Sequence, residues 1–588
     1  MTTRLWLDQN HRFIEKLISE FTYEGLLKCQ KVNEQAYSIK IGPSYYSFIG
    51  RINCWGQPVI SKDSVSIQAT PEGEPQILDS ANQLFQDLAQ LLPVSSVTWS
   101  QFVSECLNTL YSDYRLAIAQ QKIPDNQWEN LSPNTLHALL NGHPKALPSK
   151  GRIGWGSLDL ENFSPESMVP MQLHWMAVRK TVARAFVDES TSVSDLCLQS
   201  LDQESIRKFE TMISATGNDI NDYYFLPSHP WQFDHYIKTQ FFDYFVRGHI
   251  VDLGTCGDYY LPQASLRTVS NISRPQCMDI KLPLTILNTS SYRGLPSKYL
   301  EIGPVLSNWL HTISLEDEVF RKSNLKIQKE PGCAYVPHPF YSNLQDGAYH
   351  LNELLGVVWR ESAISKLDDT QTHYMAASLQ QLLPSGKSLI VRWITRSGLS
   401  PQKWLSKLFD CTAVPLWHWQ CAYGLGFISH GQNLNIVFEN FAPSGILIKD
   451  IQGDLFVTDH FPQQPWSTLP ARLYQVLPKL PPHYLIHNLW TGYFSSVLRF
   501  CASILEDERV ITEYEFWEIL ANRLQQYMDS YPTLSKSFQN YDLFKEKMPR
   551  LSINRARLLS GYEQRAQRPV HFQGEDIINP LSYYAKRK

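Results

Sequence analysis

The sequence predicts an α+β fold with an antiparallel sheet region in the middle of the chain and a mostly helical C-terminal part. Apolar residues recur at helical spacing near both ends, whereas short strand-like runs dominate from about 223 to 300. Strand and helix patterns do not alternate, as they would in a parallel sheet built from βαβ units. At 588 residues the chain exceeds the size at which one core usually divides, so two or three domains are expected.

The elements can be assigned in order along the chain. An amphipathic first helix is predicted by five apolar residues at helical spacing, namely Phe13, Ile14, Leu17, Ile18 and Phe21. A small sheet is expected near 36–70, and helical periodicity follows through 75–122. The stretch 141–170 is rich in Gly, Pro and Ser and has no clear period, which indicates a functional loop. A helical pattern resumes over 171–187.

Composition and charge exclude several classes of protein. A formal net charge of −4 gives no electrostatic reason to expect a nucleic acid or an anionic membrane as partner. The chain has no run of about 18 apolar residues, and its ten cysteines are scattered without metal-site spacing. Reduced thiols and a cytoplasmic location are therefore expected. Neither a G-x-G-x-x-G nor a G-x-x-x-x-G-K-[ST] motif is present, which argues against a Rossmann or P-loop nucleotide site.

The most informative local pattern is the tetrapeptide HGQN at 430–433, followed by a predicted hairpin that ends at Lys449-Asp450. Strand-like runs flank the polar segment 439–445, which contains Pro and Gly. Asn433 and Asp450 should then be neighbours, with His430 just outside them. An amide oxygen beside a carboxylate suits Mg²⁺ that arrives with a nucleotide phosphate. A capped turn with a solvated carboxylate explains the same pattern equally well.

A second pattern suits a polyphosphate. The segments 261–270 and 279–295 are predicted to be paired strands joined by 271–278. Period 2 places Gln263, Ser265 and Arg267 on one face, and it places Lys281 and Thr285 on the polar face of the second strand, with Arg293 just beyond. Leu282, Leu284 and Ile286 would form its core face. Guanidinium, ammonium and hydroxyl groups together are what a polyphosphate needs, although a solvated face is the simpler reading of any one of them. Combined with the 430–450 hairpin, an ATP site becomes the better explanation.

Two further clusters contain histidine and basic residues. The loop 141–155 holds His143, Lys150 and Arg152 in a segment stiffened by Pro and Gly, where they could face a cleft or simply be solvated. In LPSHPWQ (226–232), His229 lies between Ser and Pro and next to Trp. It could contact a substrate, but a structural role beneath an aromatic ring is the commoner case.

The order and spacing of these motifs resemble those of the NRPS-independent siderophore (NIS) synthetases of the IucA/IucC type. The resemblance covers roughly 140–500, and the C-terminal portion looks like the ferric-reductase-like segment of the same family. It rests on the following segments: G-H-P…K-x-R-x-G near 142–154, SPE at 164–166, HPWQ at 229–232, S-x-R-T at 265–268, K-L-P-L…R at 281–293, HGQN at 430–433 and KD at 449–450.

The resemblance implies an ATP-dependent ligase that adenylates a citrate-type carboxylate and condenses it with an amine, hydroxylamine or alcohol, releasing AMP and pyrophosphate. It assigns the ATP site to Ser265, Arg267, Thr268, Lys281, Arg293, His143 and Lys150. Within this set Lys281 and Arg293, together with His430, would be catalytic, while Asn433 and Asp450 would face Mg²⁺. His229, Arg152 and His487 are predicted to contact substrate, with Asn488 and Arg499 as further guesses at the same wall. The implied architecture is a cradle of thumb (1–140), fingers (141–395) and palm (396–588), usually dimeric.

Three departures from the family pattern stand out. Ala146-Leu147 replaces a second His-Pro pair, Ile428 replaces a Glu two residues before His430, and Lys449 replaces an Arg. Ile cannot bind a metal or orient His430, so Glu439 or Glu361 was considered as a compensating carboxylate. Two rival functions remain open from the sequence. One is a phosphotransferase, although Gln432 occupies the place of a kinase's catalytic Asp; the other is a degenerate synthetase that only binds a carboxylate or siderophore.

Overall fold

The computed structural model describes residues 2–70, 73–289, 291–458, 471–561 and 572–585. Helices are concentrated near the two ends of the chain, as the periodicity predicted. They span Thr2–Tyr23, Ala81–Leu91, Ser96–Gln120, Pro133–Ala138, Ser157–Phe163, Val193–Leu198, Gln203–Ser214, Pro230–Gln232, Lys238–Gln240, Phe242–Val246, Ser297–Leu300, Gly303–Glu316, Glu318–Lys322, Leu389–Ser397, Pro401–Cys411, Ala413–Tyr423, Ala471–Val476, Pro482–Leu485, His487–Leu489, Arg499–Asp507, Glu513–Ser530, Ser535–Asn540 and Ile553–Ser560.

An N-terminal sheet packs against the first helix. Its strands are β1 Gln30–Lys31, β2 Ala36–Ile41, β3 Ser44–Ile52, β4 Pro58–Ile60, β5 Ser66–Gln68 and β6 Gln76–Ile77. The five apolar residues predicted to share one face of the first helix are all buried, and they belong to a core with this sheet and the next two long helices. The predicted first helix and small sheet are thus confirmed.

The middle of the chain forms an eight-stranded sheet in the order β8-β16-β17-β12-β11-β10-β7-β9, with every neighbouring pair antiparallel. Its strands are β7 Met171–Arg179, β8 Arg184–Val187, β9 Tyr223–Ser228, β10 Ile250–Pro262, β11 Thr268–Asn271, β12 Asp279–Lys281, β16 Gly332–Tyr335 and β17 Gly356–Arg360. A separate hairpin, β13 Leu284–Asn288 and β14 Ser291–Arg293, follows β12. The predicted antiparallel sheet region is confirmed.

The prediction of a helix over 171–187 is wrong, because this segment contains the strands β7 and β8. The first half of β7 alternates buried Met171, Leu173 and Trp175 with half-buried Gln172 and His174, but Trp175–Val178 are all buried, so the alternation does not continue through the strand. A continuous apolar run of this length does not separate a buried strand from a helix by period alone.

The long strands predicted over 261–270 and 279–295 are also corrected. Strand β10 ends at Pro262, and Gln263–Arg267 form a turn in which Gln263 N donates to Thr268 O (2.8 Å). Leu266 has φ +63°, which interrupts any extended strand there. Gln263, Ser265 and Arg267 therefore do not share one strand face. The second segment divides into three strands, because Pro283 lacks a ladder donor and Thr289 has φ +47°.

The hairpin predicted after HGQN is confirmed, with a tighter turn. It consists of β20 Leu434–Glu439 and β21 Ala442–Ile448, so the turn is Asn440-Phe441 rather than 439–445. Both turn residues have positive φ, which matches the two-residue turns that suit the twist of a hairpin. With β15 Leu325–Ile327 and β18 Gln371–Met375 the hairpin forms a four-stranded sheet.

Two smaller sheets complete the structure: β19 Leu425–Phe427, β22 Leu455–Thr458 and β23 Lys479–Leu480 form one, and β24 Lys547–Ser552 and β25 Phe572–Ile578 form the other. The largest hydrophobic core joins the four-stranded sheet to the C-terminal helices, and a second core lies under the eight-stranded sheet. All ten cysteines are free thiols. No helix within the described ranges is long and apolar enough to span a bilayer.

Candidate active site

The site lies where the end of the eight-stranded sheet meets the end of the β20–β21 hairpin. Lys281, the last residue of β12, contacts Asp450 through Nζ. Arg360, the last residue of the neighbouring β17, donates from Nη2 to the same Asp450 oxygen at 2.7 Å. Both cations are almost completely buried, with 3% and 0% of their surfaces exposed. One carboxylate therefore joins the sheet to the hairpin.

Asp450 is held ionised by its neighbours. Burial alone would raise the pKa of Asp450, but the charges of Arg360, Lys281 and Arg267 outweigh burial and hold that pKa well below its usual range. Burial lowers the pKa of Lys281, and the adjacent Asp450 opposes this shift. The ion pair is thus a fixed feature at neutral pH.

Arg360 is a site residue that the sequence reasoning missed. Its Nε and Nη2 donate to Glu330 Oε1 at 3.0 and 2.7 Å, and Glu330 is also fully buried. Arg360 Nη1 and Glu330 Oε2 are buried without a hydrogen-bond partner. A signal was available, because Arg360 is the only charged residue of the apolar strand GVVWR, and buried charges rarely occur unpaired.

Two hydroxyls of the S-x-R-T motif need an external partner. Ser265 Oγ and Thr268 Oγ1 are buried and make no hydrogen bond within the described residues. Thr268 lies directly across the ladder from Lys281. A buried hydroxyl without a partner costs about 1–3 kcal/mol, so such groups usually have a ligand or water to bind. The pair fits a polyphosphate, whose oxygens are acceptors.

The two predicted arginines sit beside these hydroxyls. Arg267 donates through Nη1 to Gly294 O, and Arg293 donates through Nη2 to Asn288 O. These bonds hold the guanidinium groups at the β13–β14 hairpin.

Three motif residues adopt left-handed backbone conformations that non-glycine residues seldom take. Arg152, Leu266 and Asp450 have φ of 43°, 63° and 61°. Each costs on the order of 1–2 kcal/mol relative to a right-handed conformation, and such strain concentrates at functional sites. The strain at Asp450 has a visible result, since it follows the last residue of β21 and points back to Lys281 and Arg360.

Three of the predicted histidines each accept a backbone N–H at Nδ1. Nδ1 of His430 accepts the backbone N–H of Gln432 at 3.2 Å, Nδ1 of His229 accepts that of Trp231 at 3.1 Å, and His143 does the same for two following residues. A neutral imidazole that accepts at Nδ1 carries its proton on Nε2. Burial lowers the pKa of His430, against the opposing charges of Asp454 and Asp450, so a neutral His430 presents Nε2–H as a hydrogen-bond donor.

The pairing predicted between Asn433 and Asp450 is shifted by one residue. The ladder sets Lys449 opposite Asn433, since Lys449 N donates to Asn433 O at 3.1 Å. The amide of Asn433 donates to Ile428 O at 3.2 Å and to Asp454 Oδ2 at 3.0 Å. No group of three His, Cys, Asp or Glu suited to a metal occurs in the described part of the chain. A Mg²⁺ site here would use the Asn433 oxygen, carboxylate charge and the phosphates of ATP itself.

The side chain of Lys449 reaches from the end of the β20–β21 hairpin to the eight-stranded sheet. Its Nζ donates to Gln263 Oε1 at 2.9 Å, and Gln263 Nε2 in turn donates to Asp279 Oδ2 at 2.9 Å. Burial lowers the pKa of Lys449 to about 8 and raises that of Asp279 to about 6. Lys449 therefore ties the hairpin to the turn that carries Ser265.

Neither carboxylate considered as compensation for Ile428 reaches the site. Glu439 is exposed at the turn end of the hairpin, far along β20 from Asn433. Glu361 pairs with Lys366 at 2.6 Å and accepts from Lys329 N. Both suggestions are wrong, because the sequence did not show which end of each strand faces the site.

The loop 141–155 is held from below by the first helix. Lys16 Nζ donates to His143 O and Ala146 O, each at 2.7 Å. Lys150 pairs with Asp113, and Arg152 forms a buried double contact with Glu166 at 2.6 and 3.1 Å. A cavity of about 170 Å³ lies between this loop and helix Ser96–Gln120, lined in part by Lys150, Arg152 and Trp155.

The remaining predicted substrate residues lie in different surroundings. His229 is buried against Phe163 with Nε2 unpartnered, and burial lowers its pKa to about 3. His487 is bonded through Nδ1 to Thr491 at 3.0 Å. Arg499 pairs with Glu20 of the first helix at 3.0 Å, away from the Asp450 cluster.

The chain is similar to known proteins over nearly its whole length. Residues 135–381 match the model of the IucA / IucC family, and residues 402–566 match that of the ferric iron reductase FhuF-like transporter. The chain is 34% identical over 582 residues to an aerobactin synthase of Escherichia coli, covering 99% of this chain and 98% of the relative. It is 32% identical to the rhizobactin siderophore biosynthesis protein RhbF of Rhizobium meliloti, covering 99% and 97%.

Solved structures show the same fold. Aerobactin synthetase IucC from a hypervirulent pathotype of Klebsiella pneumoniae superposes with a TM-score of 0.88 at 31% identity, covering 100% of both chains. ATP-bound aerobactin synthetase IucA from the same source superposes with a TM-score of 0.79 at 18% identity, covering 98% of this chain and 99% of that one. With relatives this similar over nearly its whole length, the chain belongs to the IucA/IucC family of siderophore synthetases.

Proposed function

We propose that this protein is an ATP-dependent, AMP-forming ligase of siderophore biosynthesis. The observation that carries the proposal is the pair of buried, unpartnered hydroxyls of Ser265 and Thr268 beside the Lys281–Asp450–Arg360 cluster. The two hydroxyls lack acceptors for their hydrogen bonds, and the oxygens of a triphosphate would supply them. An IucA relative of the same fold has been solved with ATP bound, which supports the proposal.

The reaction would proceed in two balanced steps. A carboxylate oxygen of the acid attacks the α-phosphorus of ATP, and the bond to the β-phosphate breaks to release pyrophosphate. An amine, hydroxylamine or alcohol then attacks the acyl carbon; the acyl–phosphate bond breaks, AMP leaves, and the nucleophile loses a proton.

Each site residue has a defined task in this scheme. Lys281, Arg267 and Arg293, with the two hydroxyls, would bind phosphate oxygens on which charge accumulates. Neutral His430 would donate from Nε2 to an oxygen of the reacting phosphoryl or carboxylate group. Bound Mg²⁺ would neutralise phosphate charge, and Asn433 together with the carboxylates of this region would hold it.

The loop 141–155 supplies the second wall of the proposed site. Lys150 and Arg152 already have carboxylate partners, so they would shape the cavity of about 170 Å³ more than they would neutralise phosphate. Its size and its neighbouring apolar cluster around Trp155 suit the adenosine end of ATP or the acid. His143, with its Nδ1 turned to the backbone, would present Nε2 toward this side.

The substrate class follows from the relatives. They include a citryl-spermidine/3,4-dihydroxybenzoyl-citryl-spermidine:spermidine ligase and an L-2,3-diaminopropanoate–citrate ligase, so a citrate-type acid and an amine or polyamine are proposed here. His229, Arg152 and His487 stay predictions as substrate contacts. The division into thumb, fingers and palm at 140 and 395, and the homodimer, are likewise predictions.

ATP–pyrophosphate exchange with a panel of carboxylates tests the function. We expect exchange with citrate or a citrate derivative, and AMP formation when an amine is added. Thr268→Val should abolish most exchange while the protein stays folded. The absence of exchange with every acid would overturn the ligase function, and ADP as product would indicate a phosphotransferase.

A binding protein is the second candidate, favoured by Ile428 and Ala146, where the family pattern has Glu and the His of a second His-Pro pair. It predicts ATP or carboxylate binding by calorimetry without any AMP release.

A further inference from the structure

The turn between β21 and β22 carries a carboxylate at each end, Asp450 and Asp454. Asp450 is neutralised by Lys281 and Arg360. Asp454 forms no ion pair with a lysine or arginine in the part of the chain that the structure describes. Its Oδ2 accepts a hydrogen bond from the side-chain amide of Asn433 at 3.0 Å. Of the two carboxylates, Asp454 is the one whose charge remains available to a cation.

Hydrogen bonds donated by its nitrogen fix the orientation of the Asn433 side-chain amide. Both of its N–H groups are used, one by Ile428 O at 3.2 Å and the other by Asp454 Oδ2. Asn433 is buried, with 4% of its surface exposed, yet no hydrogen bond from a described residue reaches its Oδ1. An amide oxygen whose direction is fixed by bonds to its own nitrogen, and which receives no hydrogen bond from the described residues, is suited to a hard cation.

Backbone pairing keeps Asp454 next to position 428. Strands β19 and β22 are antiparallel with Phe427 opposite Leu455, and Ile428 N donates to Asp454 O at 2.9 Å. Ile428 is half-buried and belongs to none of the hydrophobic clusters formed by the described residues. A side chain at 428 and one at 454 therefore approach Asn433 from adjoining strand ends.

We propose that Asp454 is a positioning residue of the cation site: it holds the Asn433 amide with its oxygen toward the Mg²⁺ of bound ATP and supplies negative charge that Ile428 cannot. This inference rests on the ATP-dependent function proposed above. It adds a residue that lies outside every motif used to recognise the family. It also explains how the chain tolerates an apolar residue two positions before His430.

The test measures metal affinity apart from turnover. Mn²⁺ binding to the full chain saturated with α,β-methylene-ATP is followed by electron paramagnetic resonance, and binding of the same analogue in EDTA is followed by calorimetry. Asp454→Ala should weaken Mn²⁺ binding by about 10- to 100-fold, as loss of an outer partner of a metal ligand does. Binding of the analogue in EDTA should not change.

Two further variants separate the roles of the carboxylate. Asp454→Asn keeps an acceptor for the Asn433 amide but loses the charge, so its loss of Mn²⁺ affinity should be smaller than that of Asp454→Ala. The double variant Ile428→Glu/Asp454→Ala places a carboxylate at the adjoining strand end and should regain Mn²⁺ affinity. Glu439→Gln, at the far end of the hairpin, is the matched control and should behave as the unmodified protein.

The outcomes distinguish this inference from the proposed function. If the unmodified protein binds the analogue neither with Mn²⁺ nor in EDTA, the ATP-dependent function falls and this inference falls with it. If the analogue binds but Asp454→Ala leaves Mn²⁺ affinity unchanged, only the role of Asp454 is overturned. Equal losses of analogue and Mn²⁺ affinity would show a merely structural role. Should the alanine variant not fold, Asp454→Asn carries the same comparison.

Discussion

Replacing Arg360 by methionine should be among the most damaging single changes at this site. The guanidinium is fully buried and makes three hydrogen bonds, two to Glu330 and one to Asp450. Asp450 keeps Lys281 after the change, but Glu330 loses its only ion-pair partner within the described residues. Breaking a buried pair in this way leaves an uncompensated charge and costs about 3–5 kcal/mol of unfolding free energy.

Denaturant titration followed by tryptophan fluorescence measures the loss for Arg360→Met. The double variant Arg360→Met/Glu330→Gln removes the stranded charge as well, so only about 1–2 kcal/mol should remain lost through the missing hydrogen bonds. Arg247→Met is a matched control, because the Arg247–Asp243 pair is exposed to solvent, so losing it should change the stability little. If the single variant were no less stable than this control, or the double variant no more stable than the single, the electrostatic reasoning would be refuted.

The remaining predictions concern ligand affinity and pH. Thr268→Val should weaken binding of α,β-methylene-ATP, measured by calorimetry, by about 10- to 100-fold, which corresponds to the loss of a hydrogen bond to a charged group. The melting temperature should stay unchanged or rise slightly, because the substitution removes a buried hydroxyl that has no partner. Burial lowers the pKa of His229 to about 3, so its neutral form stabilises the fold above pH 6.5 and this stability is lost as the pH falls below that value, at up to about 1.4 kcal/mol per pH unit. His229→Asn, which can still cap Trp231 N, should show a shallower acid decline; an identical decline would contradict the assignment. Because the pKa of Lys449 is lowered to about 8, analogue affinity should fall above that pH in the unmodified protein and stay level in Lys449→Arg.

The sequence predicted a segment well where its apolar runs and turn residues form a recognisable pattern, and poorly where continuous burial removes that pattern. The β20–β21 hairpin was predictable, because its strands are apolar runs divided by turn residues. Strand β7 was not, because its alternation stops at Trp175, and the residues Trp175–Val178 are all buried. The turn at Leu266 was not predictable either. Its left-handed backbone is imposed by the site, and propensity would not place leucine there.

The site was predicted in its chemistry more than in its contacts. Motif residues identified the phosphate-type donors and the Asp450 region, but pairing partners such as Arg360 and Asp454 lie in other strands and belong to no motif. Sequence spacing cannot show which residue of a distant strand end will face a given carboxylate. For the same reason Asn433 was assigned to Asp450, although the ladder and the amide place it with Lys449, Ile428 and Asp454.

The positions at which this chain leaves the family pattern favour a remodelled site over a decayed one. Random decay would scatter replacements, but Ile428 and Lys449 both bond directly to Asn433, one through its carbonyl and the other through its backbone N–H. The third departure, at Ala146, also fits the structure. Ala146 is buried, and its carbonyl accepts a hydrogen bond from Lys16 that holds the loop. The charge of the lost Arg survives in Lys449, and a carboxylate stands beside Ile428 at Asp454. The positive charge at position 449 and a carboxylate beside position 428 are therefore both present in this chain, which is what a working site requires.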